Sequence, residues 1–204
     1  AINAKFYATS GLLKTQAIKE SRINLIQENK DVDDDTFVKE SLLLQQLGPL
    51  YLPAFQDNMT RRINANPDYD TGTKKQLIKA YNEKGAEFLA TSMANNQPSN
   101  FKISLNKGVF KDVGAAELLK LDGVANEKIK EQKFNILLQP LDVPLDADPR
   151  DFTLANEAIK NKTFGNNKEL QNIFNSLSPQ DKIEFEKAYQ TKSKAVRSDR
   201  NLAI

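Results

Sequence analysis

The chain has 204 residues, a net charge of +2, 39% hydrophobic and 27% charged residues, and no His, Cys or Trp. That balance describes a folded globular protein with enough chain for one large domain or two small ones. The missing residue types exclude Ser-His-Asp and Cys-His nucleophile systems, an ordinary zinc site, haem or blue-copper ligation, and disulfides.

Charge and hydropathy patterning narrow the class further. Acids and bases are interleaved along the whole chain, so no concentrated basic patch marks a nucleic-acid binder. No apolar run approaches the about 20 residues needed to cross a bilayer. The N-terminal AINAKFYATSGLLK lacks the charged start and apolar core of a secretory leader. The chain begins with Ala1, so a processed chain or a piece of a longer protein is expected, soluble and either cytoplasmic or delivered into a host cell. Its 23 Lys against 6 Arg, with 20 Asn and 12 Gln, carry the stamp of an A/T-rich genome. Secreted effectors of low-GC bacteria share that bias.

The pattern predicts a mainly α multi-helix bundle, about eight or nine helices with at most one small β-hairpin near 101–110. In chain order, a long helix is expected near Ser10 to Glu28. A second runs from about Asp34 to Leu47, with the acids Asp31, Asp33, Asp34 and Asp35 at its start. A third covers Leu52 to Asn64, striped by Leu52, Phe55, Met59 and Ile63, with Pro49 and Pro53 setting its entry. Asn66-Pro67-Asp68 breaks it. Thr73 to Met93 is the clearest helix, with Thr73 and Gln76 as a capping-box pair. Its predicted stripe is Leu77, Ile78, Tyr81, Phe88, Leu89 and Ser92, with Gly85 in the same arc.

Phe101-Lys102-Ile103-Ser104-Leu105 alternates apolar and polar, the strand signal behind the hairpin. Helices near Asp112 to Leu121 and Asn126 to Leu138 follow. Residues 140–150, rich in Pro and Asp, read as a stiff linker or ordered loop. They would separate an N-terminal helical subdomain, 1–139, from a C-terminal three-helix bundle, 151–204. In that bundle Asn166 or Asn167 caps one helix, and Ser178-Pro179-Gln180-Asp181 opens the last.

Few constellations carry chemistry. The acids at 31–35 resemble cation ligands, but acids at a helix start also complement its dipole. Asp146, Asp148 and Asp151 with Glu157 fail as a calcium loop, because Arg150 stands at a ligand position and Asp151 replaces the required Gly. Gly-rich phosphate cradles are absent. No metal, cofactor or catalytic residue is therefore assigned. Tyr51 and Phe55, in the rigid run Gly48 to Phe55, and the neighbouring Arg61 and Arg62 are the candidate partner-binding residues. Lys187, Lys194, Arg197 and Arg200 make the last helix basic, a candidate contact for an acidic partner or an anionic membrane.

The function expected from these features is a non-enzymatic α-helical protein-protein interaction module, a domain of a larger secreted bacterial effector. The partner protein is left open, and nucleic acid is not expected. The alternatives are a hydrolase or lyase working on carboxylates alone, which needs no His or Cys, and a module for anionic membrane surfaces.

Overall fold

The computed structural model describes the backbone of residues 2–200 and the side chains of Gln16 and of residues 19–200. The side chains of the N-terminal segment read above for a leader lie outside the described residues. The fold is a mainly α bundle, and no strand occurs among the described residues. Its helices are α1 (Ile2–Leu47), α2 (Leu52–Ala65), α3 (Thr71–Asn96), α4 (Pro98–Asn106), α5 (Ala115–Leu138), α6 (Pro149–Lys160), α7 (Lys168–Asn175) and α8 (Pro179–Asp199). Two compact units divide between Asp122 and Gly123, inside α5.

In the first unit the expected pair of helices before Gly48 is one continuous helix, α1. No Gly or Pro interrupts residues 12–47, so nothing in the chain ends a helix there. Gly48, at φ +71°, supplies the left-handed residue that closes it. The acids at 31–35 therefore sit in mid-helix and do not cap a first turn. Asp33 is buried, accepts from Arg62 Nε at 2.7 Å and from the Tyr69 hydroxyl at 2.8 Å. Asp34 accepts from the Tyr81 hydroxyl at 2.8 Å, and Glu40 from the Tyr51 hydroxyl at 2.7 Å. Burial first, and then the facing carboxylate, pushes both Tyr69 and Tyr81 well above the usual phenol range.

The α2 stripe is buried as its spacing predicts: Leu52, Phe55, Met59 and Ile63. Each such side chain contributes about 1.5–3 kcal/mol by leaving water. Phe55 lies directly over Gly85 of α3, where a Cβ would stand 2.2 Å from a ring carbon. Phe37 of α1 completes the contact, edge-on to Phe55 at 5.7 Å and beside Tyr81 at 5.5 Å. On α3 the buried face is Tyr81, Gly85, Ala86, Leu89, Ala90, Met93 and Ala94, whereas Phe88 is exposed. Small residues take the inner face because α2 approaches closely there. The α3 cap is Asp70, whose carboxylate accepts from the Thr73 amide at 2.7 Å, not the expected Thr73.

The expected hairpin is helix α4. Pro98 stands in its first turn, and Pro98, Phe101 and Ser104 are buried at a spacing of three. Five alternating residues fit either period. Tertiary packing decides for helix, with Phe101 stacked on Phe110 at 5.5 Å. The two helices expected over 112–138 are likewise one, α5, since Gly123 keeps ordinary helical φ.

The second unit holds the remainder of α5 with α6, α7 and α8. Phe152, Ile159, Leu177, Phe185 and Tyr189 form its centre with Leu137, Leu138 and Leu141. Phe185 meets Phe134 and Phe174 edge-on at 5.6 Å. Asp148 caps α6, Asn167 caps α7, and Ser178 caps α8 ahead of Pro179. Residues 140–150 belong to this unit: Leu141 is fully buried, and Lys192 holds Asp142 at 2.7 Å. Arg200 donates to the carbonyls of Val143 and Pro144 and lies over the Phe152 ring.

Candidate functional site

A groove of about 550 Å³ lies between α6 and α8 of the second unit. That volume suits a small molecule or a few residues of a peptide. Helical spacing explains its shape. On α8, Glu186, Tyr189, Gln190, Ser193, Lys194 and Arg197 recur every three or four residues and so share one side of the helix. On α6, Asn156 and Lys160 do the same.

Its floor is polar and buried. Asn156 lies in the inner stripe of α6, four residues after Phe152 and three before Ile159, where an apolar residue is the norm. It is 4% exposed. Its Oδ1 accepts from the Tyr189 hydroxyl at 3.0 Å and from the Ser193 hydroxyl at 2.5 Å. Two hydroxyl donors on one oxygen fix the amide's orientation. Among the described residues the Asn156 Nδ2 has no acceptor, and it is not a buried orphan, so water in the groove can reach it. Ser193 is buried as well. Burial raises the Tyr189 pKa, while the Ser193 hydrogen bond and the Arg197 charge pull it back. Two lining charges act on the Tyr189 hydroxyl in opposite directions, Arg197 lowering its pKa and Glu186 raising it.

The rim is basic. Lys160, Lys194 and Arg197 line the groove, and none forms an ion pair among the described residues. Glu186 is the acid of the lining, and its carboxylate is bound to Lys162 Nζ at 2.5 Å. Net positive charge therefore converges on a half-enclosed space, where screening is weaker than at an open surface. Such a groove can hold a carboxylate or another anion. It does not present two facing carboxylates for acid-base hydrolysis.

The residues singled out from sequence fall in different places. Phe55 is fully buried under Gly85, so it is core and not a surface anchor. Tyr51 is half-buried and engaged with Glu40. Arg62 is committed to Asp33, while Arg61 is exposed and donates to Asn58 at 2.7 Å. Lys194 and Arg197 come together at the groove; Lys187 is exposed outside its lining, and Arg200 fastens the 140–148 loop. Asn156 and Lys160 were not foreseen. The sequence signal for Asn156 is an amide inside an otherwise apolar 152/156/159 stripe. No family model, curated protein or solved structure matches the chain.

Proposed function

We propose that this chain is a non-enzymatic helical protein-binding module, part of a larger secreted bacterial protein such as an effector, and that it receives an acidic segment of its partner in the α6/α8 groove. The observation carrying this reading is the convergence of Lys160, Lys194 and Arg197, without ion-pair partners among the described residues, on a concave site with a buried polar floor. Cations held apart from acids in a chain of nearly balanced charge favour an anionic visitor. A groove favours a protein segment over a flat lipid surface, because the cations flank a hollow with a buried floor.

The test is fluorescence anisotropy with a labelled peptide carrying Glu among apolar residues, and a Lys-for-Glu version as control. Saturable binding of the acidic peptide, weakened by salt and by Lys194→Glu with Arg197→Glu, supports the reading. Equal binding of both peptides, or indifference to the charge reversals, sinks it. Co-sedimentation with anionic vesicles, without peptide binding, would favour the membrane alternative.

A further inference from the structure

We infer that Asn156 reads one acidic side chain of the bound segment, its Nδ2 donating to an Asp or Glu carboxylate held mid-groove beside Arg197. The inference rests on the acidic-segment reading of the groove and names the group recognised. Asn156 is the buried polar residue there with donor capacity unused. Its Nδ2 has no protein acceptor among the described residues and is open to water, so a ligand oxygen would take the place of a water there. Its Oδ1 is saturated by Tyr189 and Ser193, so the floor offers hydrogen and not lone pairs. That selects an acceptor such as a carboxylate over a lysine or an amide NH2.

An internal acidic residue suits the site better than a chain terminus. The lining follows α8 from Glu186 to Ser198, about 18 Å at the helical rise. Asn156, through Tyr189 and Ser193, contacts the middle of that length, leaving room for chain on both sides. The two ends differ. Toward the C-terminus of α8 stand Lys194 and Arg197. Toward its N-terminus, Glu186 is neutralised by Lys162. One turn earlier on the same face, Ile183 is 55% exposed. The matching segment is amphipathic: an acid over Asn156 and an apolar residue over Ile183, about 12 Å away along the helix.

The test uses the full chain and three labelled peptides of one length: an internal Glu with amidated C-terminus, the same with Glu→Gln, and an acid-free peptide with free C-terminus. The Glu peptide is expected to bind about tenfold or more tightly than the Gln peptide, as for a hydrogen bond to a charged group. Asn156→Asp keeps the acceptor for Tyr189 and Ser193 but places a negative charge at the floor. It should abolish or invert the Glu-over-Gln preference. Because unfolding of that variant would hide the preference, the Asn156 side-chain Nδ2 resonances of the 15N-labelled wild type provide a second readout: they should shift with the Glu peptide, and further than with the Gln peptide, whose side-chain oxygen accepts without charge. Binding of the Glu peptide that depends on Lys194 and Arg197, with unmoved Asn156 resonances, overturns this inference and leaves the groove reading standing. Binding of the free-terminus peptide alone overturns it too. No binding of any peptide overturns both.

Discussion

Replacing Gly85 by Ala tests the packing of the first unit sharply, because two effects oppose each other there. In an exposed helix interior the change gains about 1 kcal/mol in propensity. At Gly85 the new methyl meets Phe55 ring carbons at 2.2, 2.6 and 3.0 Å, all inside ordinary contact. Phe55 has nowhere to retreat: it is fully buried and braced by the edge of Phe37 at 5.7 Å. Overpacking of a fixed core costs about 1–3 kcal/mol, and the closeness of this clash places it at the upper end. The net expectation for Gly85→Ala is a loss of about 2 kcal/mol, or about 8 °C in the melting of that unit. Gly123→Ala is the internal control, since nothing lies within 4 Å of its added Cβ. It should stabilise by up to about 1 kcal/mol. The assay is circular dichroism at 222 nm during thermal and urea unfolding, with hydrogen exchange to assign the loss to α2 and α3. In a Phe55→Leu background the cost of Gly85→Ala should shrink. A Gly85→Ala protein as stable as wild type, with Phe55 present, would refute the close approach of α2 and α3.

Asp33→Ala should lower stability by about 1–3 kcal/mol, because it leaves the buried Tyr69 hydroxyl without its acceptor; urea unfolding measures it, and an unchanged midpoint would mean that Asp33 is not buried. Arg62→Ala should cost less than a fully buried partner would, since the Arg62 side chain is 37% exposed and partly screened. Tyr51, Tyr69, Tyr81 and Tyr189 all have raised pKa values in the fold. Their neutral forms therefore add stability that is complete below the usual phenol pKa near 10 and is lost as pH rises through the folded values. Absorbance at 295 nm should show their ionisation delayed and coincident with loss of helix; four tyrosines titrating normally with helix intact would contradict this. Ser178→Ala should cost about 1 kcal/mol by removing the α8 cap on the Asp181 amide, read as a lower melting temperature for the second unit.

Where sequence and structure agree, local signals were strong and pointed one way. The α2 stripe, the Asn167 cap and the Ser178-Pro179 start of α8 each combine periodicity with a specific terminal residue. Where they differ, a local signal had two readings. Acids at 31–35 fit a helix start equally well, and their true partners, Arg62, Tyr69 and Tyr81, lie about 30–50 residues away in sequence, beyond the reach of any local rule. The alternation at 101–105 was too short to separate strand from helix. Helical spacing puts Phe88 on the inner stripe, but the small residues Ala86 and Ala90 take the close contact. The groove was half legible. The basic last helix exposed Lys194 and Arg197, while Asn156 needed the pairing of α6 with α8, which only the tertiary fold supplies.

The carboxylates of α1 also determine how far along its axis that helix can sit. A slide of one turn toward either end would bring Asn29 or Phe37 to the place of Asp33, opposite Arg62. It would bring Lys30 or Val38 to the place of Asp34 beside Tyr81, and Thr36 or Leu44 to that of Glu40 beside Tyr51. The slide to Phe37, Val38 and Leu44 loses all three acceptors; the slide to Asn29, Lys30 and Thr36 keeps no negative charge for Arg62 and sets an ammonium, which cannot accept, against the Tyr81 hydroxyl. Apolar packing alone tolerates such slippage, because one leucine substitutes well for another. The three acids act as the wards of a key, admitting α1 against α2 and α3 in one axial position and no other.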